Sequence, residues 1–205
     1  MNSTPTTTFS STGEIAAPPR EFDPFALLGI ERRASLDPET IRPAYLKACR
    51  EVHPDRFQDK GGEQLERAKA WTALYNKAYS TLKDNHARLT WLLEAEGFPN
   101  PLKDAKGSAV PQSLLMEMFE LQEMLDEAES GSGVAPNVIK QAQHDLMRRQ
   151  SDAELELSRI AEQWDVAGSD HTTLARHMGE LFSEERYYER LLTRMNSVLE
   201  AYNES

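Results

Sequence analysis

The sequence predicts an all-α protein in two parts, an N-terminal helical hairpin and a C-terminal antiparallel three-helix bundle. Three observations carry this. Apolar residues recur every three or four positions over long stretches, no stretch alternates as a strand would, and Gly and Pro are gathered into a few breaks. Those breaks are the Pro-rich start up to Pro24, Gly61-Gly62, Gly97-Phe98-Pro99-Asn100-Pro101, Gly107 to Pro111, and Gly131-Ser132-Gly133. Two X-Pro pairs and two glycines between Gly97 and Pro111 resist helix continuation, so the domain boundary is expected there. The expected division is a disordered tail over 1–20, a first domain over 21–97, a linker over 98–110 and a bundle over 111–205.

In the first domain, Asp23 is placed to cap a short helix with Pro24 in its first position, carrying Phe25, Leu27 and Leu28 until Gly29 stops it. Asp37-Pro38 opens a second helix, on which Ile41, Tyr45, Ala48, Cys49 and Val52 share one face. His53 precedes Pro54, and the pre-proline restriction ends that helix. A third helix is expected from about Glu63 to Lys83, burying Leu65, Ala68, Tyr75, Ala78, Tyr79 and Leu82. The last two helices face each other across the loop from Pro54 to Gly62.

Three further helices are expected, at about Pro111–Glu129, Pro136–Trp164 and Asp170–Tyr202. On the last, Leu174, Met178, Leu181, Glu185, Tyr188, Leu192, Met195, Leu199 and Tyr202 form a seam broken only by Glu185. On the first, Leu114, Met118, Leu121, Leu125 and Ala128 suffice for a core, while Leu115, Met116 and Phe119 project from another flank beside Glu120 and Glu123. Tyr187 stands off the seam of the last helix. Periodicity leaves the readings open for these residues: a protein-binding patch rimmed by carboxylates, or residues that pack against the first domain or widen the core.

Hydrophobic residues at 39% and charged residues at 28% describe a chain most of which folds. No run of about 18 apolar residues exists to cross a bilayer. The first twenty residues lack the basic start and apolar stretch of a secretory signal, so a cytoplasmic protein is expected. Cys49 is the sole cysteine, expected as a small buried apolar residue, and the five histidines are scattered, so no metal site and no cofactor are expected. The net charge of -11 lies in the second half: residues 23–96 hold 12 positive and 12 negative side chains, residues 101–205 hold 10 and 20. Such a surface repels phosphate backbones, which argues against nucleic acid and favours a basic protein partner. No carboxylate pair, nucleophile with base or phosphate-cradling loop stands out, so an enzyme is not expected. The chain is expected to be a monomer.

The run Ile41 to Asp55, IRPAYLKACREVHPD, resembles the second helix and His-Pro-Asp signature of J-domains, and Asn76, Ala78, Tyr79, Leu82 and Asp84 match the family's pattern at the end of its third helix. The resemblance implies that His53, Pro54 and Asp55 dock on the ATPase of an Hsp70-type chaperone and promote ATP hydrolysis. It implies that the basic face carrying Arg42, Lys47 and Arg50, joined by Arg56, meets an acidic Hsp70 surface, although such a face is otherwise a solvated helix side. Leu46 departs from that basic face, and Pro43 sits inside the helix, where it deletes a backbone hydrogen bond and is expected to bend the axis.

Arg88 to Gly97, RLTWLLEAEG, and Leu114 to Glu127, LLMEMFELQEMLDE, are similar to the HscB family, J-proteins of iron-sulfur cluster biogenesis; the middle bundle helix matches poorly. The resemblance implies that Leu115, Met116, Phe119, Glu120 and Glu123, with Tyr187 from the last helix, bind the cluster scaffold IscU, and that the Hsp70 is HscA. The four-cysteine metal module of some relatives is absent. The rivals are a J-domain co-chaperone with another client and a purely structural helical protein.

Overall fold

The computed structural model describes residues 8–11, 13–100, 112–131 and 133–204. Among them the chain forms seven α-helices and one 3-10 turn: α1 Pro24–Leu28, α2 Pro38–Glu51, the turn Pro54–Phe57, α3 Gly62–Lys83, α4 Asn85–Ala95, α5 Gln112–Glu129, α6 Pro136–Trp164 and α7 His171–Glu204. It divides into two compact units between Ala95 and Glu96. Most of the linker expected over 98–110 lies outside the described residues.

The first unit is held by short-range chemistry at each helix start. One Asp23 oxygen accepts the amides of Phe25 and Ala26 at 2.9 and 3.0 Å, while Arg32 pairs with the other at 2.8 Å. Gly29 ends α1 at φ 63, a left-handed conformation that glycine adopts without a Cβ clash. Asp37 caps α2, which runs unbroken through Pro43. Ile41 and Val52 are fully buried, but Tyr45, Ala48 and Cys49 are only half-buried. The apolar stripe of α2 is pressed mainly against one neighbour, α3, where Tyr45 stacks on Tyr79 at 4.4 Å and donates to Asn76 Oδ1 at 2.8 Å. Cys49 is therefore not the sealed residue expected; partial burial still pushes its thiol pKa up, which disfavours the reactive thiolate.

The long α3 is the spine of this unit, contacted by α1, α2, α4 and the 3-10 turn. It buries Ala68, Trp71, Tyr75, Ala78 and Leu82. Leu65 and Tyr79, expected in the core, are half-buried, whereas Trp71, missing from the expected set, is sealed. The buried residues repeat at spacings of three and four, and Trp71 lies on that line whereas Leu65 and Tyr79 lie to one side of it. The short α4 buries Leu89, Leu92 and Leu93, and with them Arg88 at 5% exposure. That guanidinium donates to the carbonyls of Ala34 and Leu82 and to Asn85 Oδ1, tying α3, α4 and the α1–α2 loop together.

The disordered tail expected over 1–20 is corrected across its described part. Phe9 and Ile15 pair as an antiparallel bridge, and Ile15 is fully buried. The reason is on α3: Gln64, Arg67 and Trp71 hydrogen-bond the backbone of Ile15 and Ala16. Composition alone marks this polar segment as unable to fold by itself, and it does not; it borrows a helix face.

In the second unit, α5, α6 and α7 run up, down and up. Tyr202, near the end of α7, donates to the Val134 carbonyl just before α6, at 2.8 Å, and Glu117, near the start of α5, pairs with Arg149 of α6. The core joins Leu114, Met118, Leu125 and Ala128 to Ile139 and Leu146 and to Tyr188, Leu191, Met195 and Val198. On α7 the deepest residues include Leu191 and Val198, while Leu192, Leu199 and Tyr202 of the expected seam are half-buried. The buried line on this stretch runs through Tyr188, Leu191, Met195 and Val198, rotated slightly from the expected seam, which leaves Leu192 and Leu199 at its edge. At the far end, His171 stacks on Trp164 at 4.0 Å and bridges the Trp164 carbonyl and Glu96.

Candidate functional sites

The His-Pro-Asp corner is a single 3-10 turn, and its construction explains its exposure. Val52 ends α2 inside the core and Phe57, 3% exposed, anchors the other side. Between two buried apolar anchors the tripeptide must bulge outward. His53 and Asp55 side chains are 56% and 72% exposed. His53 Nδ1 lies 3.4 Å from the Asp55 amide, as the cap of the turn, and 3.5 Å from Asp55 Oδ2. These two uses need opposite protonation states: accepting from the amide requires the bare nitrogen, pairing with the carboxylate requires the proton. Gln58 Nε2 donates to Asp55 Oδ1 at 3.3 Å, leaving an outward carboxylate suited to a charge-assisted bond from a partner cation.

Arg42, Lys47 and Arg50 are exposed on the side of α2 turned away from its buried stripe, with Leu46, 39% exposed, among them. Arg56 is engaged differently. Its guanidinium turns back to the carbonyls of Arg50 and Glu51 at 2.9 and 3.4 Å, where a cation satisfies the unpaired acceptors at the end of α2. Its geometry is that of a brace for the corner.

The second surface is the outer flank of α5. Leu115, Met116 and Phe119 are 44, 61 and 60% exposed, and Glu120 and Glu123 are exposed beside them. The wider-core reading fails for these five side chains, which lie outside the core of the bundle. Tyr187 does not stand free in the same way. It is half-buried against the bundle core, with the Arg190 guanidinium 4.9 Å over its ring. Because α5 and α7 run in the same direction and Arg194 of α7 pairs with Asp126 and Glu129, Tyr187, about two turns earlier, falls level with Phe119. On the opposite flank of α5, Arg149 grips Glu117 with two bonds of 2.7 and 2.6 Å. That pair holds the Arg149 pKa up and fixes the rotation of α5 that points the apolar flank outward.

Pattern reading missed Gln64, Arg67 and Trp71 as anchors of the N-terminal segment, and Arg88 and Arg149 as clamps. Their signal is weak: a polar or aromatic residue on a helix reads as a solvated face unless the partner backbone is known. Among the described residues no group of three or more His, Cys, Asp and Glu is arranged to hold a metal, and no helix is long and apolar enough to cross a membrane.

A family model for the DnaJ domain matches residues 23–91. The chain is 34% identical over 106 residues to the co-chaperone protein HscB homolog of Bordetella pertussis, covering 52% of this chain and 61% of that protein. It therefore spans about three-fifths of the length of that relative. It is 27% identical over 172 residues to the co-chaperone protein HscB of Proteus mirabilis, covering 83% of this chain and 97% of that one. Among solved structures, human co-chaperone HscB aligns with a TM-score of 0.67 at 19% identity, covering 94% of this chain and 90% of the other. Chaperone HscB from Vibrio cholerae aligns at 0.60 and 19% identity, covering 88 and 99%. At that identity the two structures speak to the fold.

Proposed function

We propose that the chain, which carries a DnaJ domain and is similar to HscB co-chaperones, recruits an Hsp70-type ATPase through its first unit and an iron-sulfur scaffold through its second. The Hsp70 is the specialised HscA and the client is IscU carrying its cluster. The chain acts as an adaptor in the cytoplasm and performs no chemistry of its own.

The observation that carries this reading is the pair of exposed, chemically distinct surfaces on one chain. One offers imidazole and carboxylate on a rigid turn beside three cations. The other offers Leu115, Met116 and Phe119 rimmed by Glu120 and Glu123. Carboxylate and cations suit an ATPase surface that presents arginine and acid in complementary places. An apolar centre with an acidic rim suits a client with an apolar patch and basic border, and Tyr187 contributes aromatic area at its edge. Tethering both partners raises the concentration of client at the chaperone, to the millimolar range for a short connection, without any new contact.

The test separates the two surfaces. Asp55→Ala should reduce stimulation of steady-state HscA turnover to the unstimulated rate while IscU binding by calorimetry stays within about twofold, since Asp55 is exposed and its loss should leave the fold intact. Retained stimulation would overturn the assignment of the corner. If stimulation behaves as expected but IscU does not bind, the chain serves another client through the same bundle.

A further inference from the structure

The geometry points to a role for the N-terminal segment from Thr8 to Ala17 that extends the proposed function and rests on it: a strap that holds the first turns of α3 and so positions the His53–Asp55 corner for the Hsp70. The need for such a device is visible in α3 itself. Its N-cap is Gly61 at φ 93, with no side-chain cap bond, followed directly by Gly62. Two glycines and an uncapped start make these turns the part of α3 most prone to fray. Yet the 3-10 turn bearing the corner packs on α3, with Phe57 as its buried anchor. The turn ends at Phe57 and α3 begins at Gly62, so loosening of the first turns would reach the corner through a four-residue link.

The strap answers this need from outside the helix. Ile15 donates its amide to Gln64 Oε1 at 2.8 Å and accepts from Arg67 Nη1 through its carbonyl at 2.9 Å. Arg67 also pairs with Glu63 in the first turn, so one guanidinium joins the helix start to the strap. The Trp71 indole donates to the Ala16 carbonyl at 2.8 Å, and the hydroxyls of Thr8 and Tyr75 meet at 2.8 Å. Gln64, Arg67, Trp71 and Tyr75 recur on one face, so the strap follows α3 for about 16 Å at 1.5 Å rise per residue. It keeps its own shape through the bonds from Ala16 N to the Thr8 carbonyl and from Ser10 N to the Glu14 carbonyl, at 2.9 and 2.8 Å.

The strap adds apolar closure through Ile15, fully buried against this face. It leaves His53, Asp55 and the outward cations of α2 uncovered, so it supports the docking surface without obstructing it.

The experiment compares four full-length proteins and a truncation: wild type, Ile15→Asp, Gln64→Ala, the conservative Ile15→Val, and the chain lacking residues 1–17. Amide exchange should show protection over residues 62–70 falling about tenfold in Ile15→Asp and the truncation, less in Gln64→Ala, with α4 and α5–α7 unchanged. At a temperature where circular dichroism shows every variant folded, the concentration giving half-maximal Hsp70 stimulation should rise about five- to tenfold with the maximal rate unchanged, as expected when a competent conformation becomes less populated. Ile15→Val should match wild type, and a synthetic peptide spanning residues 8–17 added to the truncation should restore the lower concentration. Lost protection with unchanged stimulation would overturn the positioning role and leave a purely structural strap. Unchanged protection would overturn the strap itself. Failure of wild type to stimulate at all would overturn the proposed function and the positioning role together, while the exchange pattern would still report on the docked segment.

Discussion

Replacing Leu115, Met116 and Phe119 together by alanine should weaken scaffold binding strongly while leaving the bundle folded. Fully burying a large apolar side chain is worth about 1.5–3 kcal/mol, and only the part still in water is available to a partner. With 44, 61 and 60% of these residues exposed, complete coverage would offer about 2.5–5 kcal/mol across the three. Alanine keeps a little of that area and the partner surface is left imperfectly packed, so a loss of about 2–4 kcal/mol is expected, roughly 30- to 1000-fold in Kd. The same exposure limits the folding penalty, because the residues lie outside the core built on Leu114, Met118 and Leu125. Isothermal titration calorimetry of the full chain with IscU reads the first quantity, and a thermal melt the second. An unchanged Kd would refute the placement of the client on this flank. A large drop in the melting midpoint would refute the claim that these side chains are surplus to the core.

Other outcomes follow from the buried polar groups and caps. Arg88→Met should destabilise the first unit by about 3–5 kcal/mol, because two carbonyls and an amide oxygen lose a buried donor; urea unfolding of the full chain, followed by Trp71 and Trp91 fluorescence, reads this, and a loss below about 1 kcal/mol would show that water replaces the guanidinium. The Asp170 carboxyl is held below the ordinary carboxylate range, first by the Thr173 hydroxyl and then by the amides of Thr173 and Thr172. A group whose folded pKa is depressed stabilises the fold above its unfolded pKa, near 4, and loses that contribution as pH falls through the folded value. Asp170→Asn retains a cap but has no such titration, so its stability should fall less than wild type as pH is lowered below about 4; parallel acid limbs in chemical denaturation would show the cap charge is immaterial.

The corner and the bundle were legible because they rest on local rules. A proline after His53 breaks a helix whatever surrounds it, Asp23 and Asp37 cap the helices that follow them, and Leu114, Met118 and Leu125 repeat at a helical period. Which apolar residues go deepest was legible only in part. Trp71 is sealed and Tyr79 is not, and Leu191 lies deeper than Leu192, because burial depends on how many neighbours a helix has and on which sides they lie. Arg56 shows the same limit for charge: grouped with the docking cations by sequence, it is committed to the end of α2 by the path of the turn.

The sequence by itself determined that this chain is helical, where its helices other than α4 start and stop, and that a His-Pro-Asp corner and an apolar, acid-rimmed flank exist. All of these depend on residues within a turn or two of one another. Only the tertiary structure decided that Ile15 is a core residue, that Arg88 and Arg149 are clamps, and that Tyr187 is level with Phe119. Each of those rests on groups far apart in the chain, whose meeting depends on the summed packing of several helices and has no signature in any single stretch of sequence.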